Sequence, residues 1–134
     1  MERTHFDDFL TLASQQREPQ RLLFVFAAAQ LPDEHTEDEA QRFAQGQGGT
    51  LSPIMYVDKA LHEVANFDAL RNESRQMGRK WQIVFVGALD GHNGVMLSTE
   101  QAEQPLELMV KHIENGEVQR FLAFDQQGQT VSFV

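Results

Sequence analysis

The sequence predicts a single α/β domain, 1-134, built as an α/β sandwich with a mixed sheet in the order α-β-α-β-α-β-α-β-β. Three observations predict it. The 134 residues fit one domain and leave no room for a second core. Short apolar runs alternate along the chain with segments of helical periodicity. Hydrophobic residues make up 41% of the chain, which is enough for a packed core and argues against disorder.

The first half of the chain predicts two helices and two strands. Residues 4–14 have apolar side chains at helical spacing after a capping pattern. Residues 21–29 (RLLFVFAAA) are almost wholly apolar, which is typical of a strand covered on both faces. Residues 36–39 (TEDE) form a capping box and predict the start of a short helix. Residues 51–57 (LSPIMYV) predict a strand, with Pro53 at its start or at an edge.

The middle of the chain predicts a long helical stretch and a central strand. Asp58 is expected to cap a helix that runs to about Met77. The sequence leaves two alternatives, a continuous helix or one that is broken at Asn66. Residues 81–89 (WQIVFVGAL) are the most strand-like run in the chain.

The last third predicts one helix and a hairpin. Pro105 suits the first turn of a helix that ends at Asn115. Residues 120–124 and 130–134 flank a polar turn and predict two strands. Because the final strand has no charged or proline residue to protect its edge, we expect a homodimer formed by pairing this strand with its copy. Packing of the segment into the core of its own chain is the alternative.

Two parts of the sequence resemble each other. LFVFAA (residues 23–28) is similar to IVFVGA (residues 83–88), and each run is followed by Thr-Glu, a helix, glycine, and a strand that ends in aspartate. Two interpretations stay open. A βαβ unit was duplicated, or two ordinary βαβ units converged on similar residues.

Composition and charge exclude several classes of function. The chain has no cysteine, so it can form no disulfide, thiolate nucleophile or cysteine-ligated metal site. Its formal net charge of −9 disfavours nucleic acid and anionic membranes as partners. No apolar run is long enough to cross a bilayer and the first residues are polar, so we expect a soluble cytoplasmic protein. The glycine-rich segments lack the features of nucleotide-binding loops, and the sequence predicts no cofactor.

The loop after the central strand is the main candidate site. Asp90, His92 and Asn93 offer an acid–base pair and hydrogen bonds, and Gly91 and Gly94 allow a close backbone approach to a ligand. Ligands bind at the carboxyl ends of strands in open α/β sheets, where this loop is expected to lie. The same residues are also typical of a polar surface turn.

Two further clusters have a functional and a plain interpretation. Asp58, Asp90 and Asp125 each end a predicted strand and would bind a divalent cation if the strands were parallel neighbours. Asp58 also suits a helix cap and Asp125 a turn. Arginines at positions 71, 75 and 79 form a basic stripe beside Lys80, which we interpret as a solvated helix face partly paired with an acidic neighbour, residue 68.

Three segments carry a resemblance to known families. PQRLLFVFAAAQLPDE, GQGGTLSPIMYVDKA and WQIVFVGALDG resemble a family of small proteobacterial proteins of unknown function, often labelled ribonucleotide reductase alpha subunit. Reductase chemistry needs redox-active cysteines, and this chain has none. PIMYVDKAL and IVFVGALDG are also similar to the N-terminal domain of the enhanced serine sensitivity (SseB) family. Neither resemblance implies a catalytic residue.

These observations favour a non-enzymatic binding or regulatory module that acts on a protein partner or a small ligand. The alternative is a small enzyme that uses Asp90 and His92 at the carboxyl end of a central strand, with or without a divalent cation.

Overall fold

A four-stranded sheet forms the centre of the molecule. The computed structural model describes residues 3–30, 36–44 and 50–133. The strands are β1 (Gln20–Gln30), β2 (Thr50–Ala60), β3 (Ile83–Asp90) and β4 (Leu122–Phe124), in the spatial order β2-β1-β3-β4. The predicted α/β class is confirmed. All three described strand pairings are antiparallel, however, where the sequence predicted a mixed sheet.

The helices lie on both faces of this sheet. They are α1 (His5–Ser14), α2 (Glu37–Ala44), α3 (Phe67–Gln76) and α4 (Thr99–Glu114), with short 3-10 turns at Leu61–Glu63 and Val118–Arg120. Buried residues of α1 and α3 share one apolar cluster with the first face of the sheet, and those of α4 share another with the second face. Among the described residues, no helix is both long enough and apolar enough to cross a membrane.

The apolar run of β1 explains its central position. Leu22, Phe24 and Phe26 point to the first face and Leu23 and Val25 to the second, and all five are buried. A strand buried on both faces needs neighbours on both edges, since its backbone cannot reach water.

Aromatic side chains dominate the first face. The Phe6 ring lies 5.2 to 6.1 Å, between centroids, from the rings of Phe9, Phe24, Phe67 and Phe124. This cluster joins α1, α3, β1 and β4. Tilted and edge-on aromatic contacts of this kind add about 0.5–1.5 kcal/mol per pair beyond the area that they bury.

The segment between β2 and α3 differs from the prediction. Asp58 was expected to cap a helix, but it lies within β2, which continues to Ala60. The helix begins at Phe67, and Asn66 is its N-cap through a hydrogen bond that the side chain accepts from Ala69 N. The break considered at Asn66 is therefore the start of the helix.

Two features of the last third of the chain also differ from the sequence prediction. Pro105 lies inside α4, which begins earlier, at Thr99, behind a capping box formed by Ser98 and Gln101. The segment predicted as a strand at residues 130–134 makes one isolated bridge, between Thr130 and Phe124. Residue 134 is outside the described part of the chain.

The sheet has an internal symmetry that bears on the repeat. The central strands β1 and β3 are antiparallel to each other, and each is followed by a helix and then by an outer strand that pairs antiparallel with it. A repeated strand–helix–strand unit would produce this arrangement. The units are not the parallel βαβ type that the sequence suggested, and duplication stays a prediction.

Candidate functional site

The predicted loop site is a tight hairpin turn. His92 and Val95 exchange two backbone hydrogen bonds of 2.9 Å, and the residues between them, Asn93 and Gly94, have φ of 51° and 79°. Asn-Gly with two positive φ values is the usual two-residue hairpin connection. The side chains of Asp90, His92 and Asn93 are exposed, and the Asp90 carboxylate accepts a 2.7 Å hydrogen bond from the Gln20 amide.

The three strand-end carboxylates are not brought together. Asp58 and Asp90 lie on β2 and β3, and β1 runs between these strands. Because β4 is antiparallel to β3, Asp125 lies at the opposite end of the sheet, where its carboxylate accepts from Gln127 N and Gln129 N. In the part of the chain that the structure describes, no three histidine or acidic side chains are grouped to hold a metal ion.

Asp58 instead belongs to a largely buried ion pair. Arg21 Nε donates to Asp58 Oδ2 at 2.6 Å, and the same guanidinium donates to Leu97 O and to Thr99 Oγ1. Thr99 Oγ1 in turn donates to Asp58 Oδ2 at 2.9 Å. The network ties β1 and β2 to the start of α4.

A polar cleft of about 510 Å³ lies between α1 and the start of α3. Its main acid, Asp7, accepts hydrogen bonds from Phe67 N and from Thr4 N. Partial burial raises the pKa of Asp7, but these bonds, the Thr4 hydroxyl and the charge of Arg3 outweigh it and leave that pKa below its ordinary value of 3.8. Because both helix starts use this carboxylate as a cap, we assign the cleft a structural role.

A second cleft is lined by three cations. Arg75, Arg79 and Lys80 surround a space of about 620 Å³ at the end of α3, together with Trp81 and Gln126. We call this set of residues the basic cleft. Arg75 lies in the last turn of α3, and Gly78, with φ of 77°, ends the helix and turns the chain so that Arg79 and Lys80 follow on the same rim.

The uncharged residues of the basic cleft are held in place. Trp81 is 3% exposed, its ring packs 5.1 Å from Phe26, and its Nε1 donates to Ser74 Oγ at 2.7 Å. Gln126 Nε2 donates to Trp81 O at 2.7 Å, which fixes the amide at the wall. The cleft therefore has an uncharged base that hydrogen bonds hold in place and a rim of three exposed cations.

The charge of the basic cleft is uncompensated within the described residues. Arg75, Arg79 and Lys80 form no ion pair there, and Arg79 Nη1 donates only to Ile54 O, at 3.2 Å. Arg71, by contrast, pairs with Asp68 at 2.9 Å, which confirms that part of the predicted stripe.

Helical spacing alone could not identify the cleft. It grouped Arg71 with Arg75 and Arg79, but Arg71 turns toward Asp68 and toward Gln126 O. Gln126 comes from a distant part of the chain and joins Arg75 and Trp81 only in the fold. The signal that was present is the Gly78-Arg79-Lys80-Trp81 sequence directly after a helix that carries cations.

Comparisons with family models, with curated proteins and with solved structures give no match to this chain.

Proposed function

We propose that this protein is a non-catalytic binding module whose basic cleft holds an anionic ligand through carboxylate or phosphate oxygens. The observation that carries the proposal is the collection of three cations without an acidic partner among the described residues, in a chain whose net charge is −9. Elsewhere on this surface acidic residues outnumber basic ones, so an anion is attracted to this cleft and repelled by most of the remaining surface.

The chemistry of the lining supports an oxyanion. Two guanidinium groups present several N–H donors each and bind carboxylate or phosphate in a two-pronged geometry, while Lys80 adds a point charge. An anion between them also relieves the mutual repulsion of the three cations.

NMR titration of the ¹⁵N-labelled protein with citrate and with inorganic phosphate tests the proposal. We expect shifts confined to residues 75–81 and 126, and an affinity that weakens as sodium chloride rises, because salt screens exposed charges. A preference for one of the two probes identifies the oxyanion class.

The matched variants differ only in where three charges are removed. R75Q/R79Q/K80Q is expected to weaken binding at least tenfold, whereas R17Q/R42Q/K111Q, which neutralises three exposed cations outside the cleft, should change it less than twofold. Equal losses in the two triple variants would show a general charge effect and contradict the proposal. Absence of any shift at millimolar citrate and phosphate would do the same.

A further inference from the structure

The edge of β3 is only half covered. β4 pairs with β3 at three positions, from Val84 opposite Phe124 to Val86 opposite Leu122. Residues 87–90 of β3 pair with β1 on their other side, but within the described residues no strand lies against their outer side. Exposed strand edges present unpaired N–H and C=O groups and are normally covered.

The direction of the free backbone groups follows from the register. Gly91 N donates to Pro19 O at 2.8 Å, so the backbone of Gly91 faces β1. Backbone groups alternate in direction along a strand, and Leu89 and Gly87 therefore face β1 as well. Ala88 faces outward. No described strand pairs with β3 on this outer side of Ala88, and the residue is exposed.

An apolar groove of about 360 Å³ adjoins this edge. Its floor is formed by Gly87 and Leu89, and its walls by Leu108 and Met109 of α4 and by Phe121. Leu108 is 56% exposed. A Cβ at Gly87 would lie 3.4 Å from Met109 Sδ, so Met109 packs closely against the backbone at this position. We call this groove together with the Ala88 edge the β3 groove.

One end of the β3 groove carries a guanidinium group with free N–H donors. Arg120 lies in the lining, and its contacts with Glu117 and His112 all go to Nη1, at 2.9 to 3.3 Å. Nε and Nη2 have no partner among the described residues, and 57% of the side chain is exposed. A guanidinium has five N–H donors, so it can bind a second carboxylate.

From the free edge, the apolar floor and this cation we infer that the β3 groove binds an extended, acidic peptide segment of a partner protein. The segment lies along the edge of β3 that β4 leaves uncovered and exchanges backbone hydrogen bonds with Ala88. It packs an apolar side chain against the exposed Leu108 and pairs an acidic side chain with Arg120. Addition of a strand to an open sheet edge is a recurrent mode of peptide recognition, in which the backbone gives affinity and alternate side chains give specificity. The inference does not depend on the basic cleft.

The probe is a blocked peptide of alternating valine and threonine with glutamate at both ends. We expect shifts in the ¹⁵N spectrum at residues 87–90 and at the Arg120 side chain. The same peptide with terminal lysines should bind at least fivefold more weakly. This order is the reverse of what the net charge of −9 favours, so a general electrostatic attraction cannot produce it.

Two N-methylated peptides test backbone pairing directly. Each peptide is methylated at every second amide. One peptide thereby loses the N–H donors that would face β3, and the other loses the N–H donors that would face solvent. We expect one of these two isomers to lose binding and the other to retain it, because backbone groups alternate. Equal binding by both isomers would mean that the peptide is held without strand pairing, and would overturn the inference.

Protein variants complete the test. Ala88→Pro removes the outward N–H but spares the pairing with β1, and it should abolish binding, whereas Ala88→Ser should bind as the wild type does. Arg120→Gln should remove the preference for glutamate over lysine and provides a second variant if the proline disturbs folding. Shifts located outside the β3 groove, or unchanged preference in Arg120→Gln, would contradict the inference.

Discussion

Asp7 connects two helix starts through one carboxylate. It caps α1 together with Thr4 and accepts from Phe67 N, at the start of α3, at 2.9 Å. Asp7→Ala removes acceptors of several backbone donors and should lower the free energy of unfolding by about 1–2 kcal/mol at neutral pH. Asp8→Ala removes an exposed ion pair with Arg3 and should change the free energy of unfolding by less than about 0.5 kcal/mol.

The pH dependence of the Asp7 contribution has a defined sign. The folded pKa lies below 3.8, so the stabilisation is complete above the unfolded pKa and is lost as the pH falls through the folded value. The difference in unfolding free energy between wild type and Asp7→Ala should therefore narrow in acid. Urea melts between pH 7 and pH 2.5 measure it, and a constant difference would contradict the assigned bonds.

Gly128 is required for two separable reasons. Its φ is 76°, and a Cβ there would lie 2.7 Å from Thr4 Cβ, because the turn packs against the start of α1. Gly116 has a φ of 80° but no atom within 4 Å of such a Cβ. Gly116→Ala should cost about 1 kcal/mol for the backbone alone. Gly128→Ala should cost about 2–4 kcal/mol, since overpacking is added. Similar melting temperatures for the two variants would show that the contact with Thr4 is not tight.

At the scale of elements, the ion pair of Arg21 and Asp58 holds β1, β2 and α4 together. The two side chains are 11% and 14% exposed, so a partner left alone is a nearly buried charge. Arg21→Met should destabilise the fold by about 3–5 kcal/mol. In the double variant Arg21→Met/Asp58→Asn no charge is stranded, and the loss should be at least about 1 kcal/mol smaller than the sum of the single losses. Additive losses in chemical denaturation would contradict this coupling.

Local patterns predicted the elements well where one residue type decides the structure. The apolar run of β1, the capping residues of α1 and the glycine that ends α3 act through neighbours in sequence. Asp58 was misplaced because an aspartate suits a helix cap and a buried ion pair equally well. Its partner Arg21 is 37 residues away, and only the pairing of β1 with β2 brings them together.

Local sequence patterns predicted the candidate sites less well than they predicted the helices and strands. Asp90, His92 and Asn93 carried a local pattern typical of both a site and a turn, and the backbone forms an Asn-Gly hairpin there. The basic cleft has only a partial local pattern, in residues 75–81, and Gln126 joins it through the fold. The β3 groove has no local pattern, because it joins residues of β1, β3 and α4 with Phe121. Parallel strands would have gathered the predicted carboxylates, but antiparallel pairing sends Asp125 to the opposite end of the sheet.

At the scale of the whole molecule, the negative net charge limits anion binding by the basic cleft to its immediate surroundings. The net charge of −9 gives a surface that repels anions in general, so the three cations of the basic cleft act locally. Screening over about 8–10 Å at physiological salt limits how far the surrounding acids oppose them. The same balance disfavours nucleic acid as a partner, which stays a prediction.

The C-terminal segment is tied to the chain's own fold in the described residues. Val131 N donates to Ala123 O at 2.9 Å, and the ring of Phe133 stacks on that of Phe85 with centroids 5.7 Å apart. Deletion of the segment would remove these contacts as well as any contact between copies. A test of the predicted homodimer therefore needs a change that acts only on the outer edge.

Ser132 offers that change. Because Val131 directs its N–H toward Ala123, an extended continuation directs the N–H of the exposed Ser132 outward, to the side where a second copy would pair. If the homodimer forms there, light scattering of the wild type should give twice the chain mass of 15.3 kDa at high concentration. Ser132→Pro removes the outward donor and should yield monomers with an unchanged melting temperature at low concentration, while Ser132→Ala should remain dimeric. A wild-type mass of 15.3 kDa at every concentration would exclude the dimer. A dimeric Ser132→Pro would place the interface elsewhere, and the outer edge of β2, which no described strand covers, would be tested next.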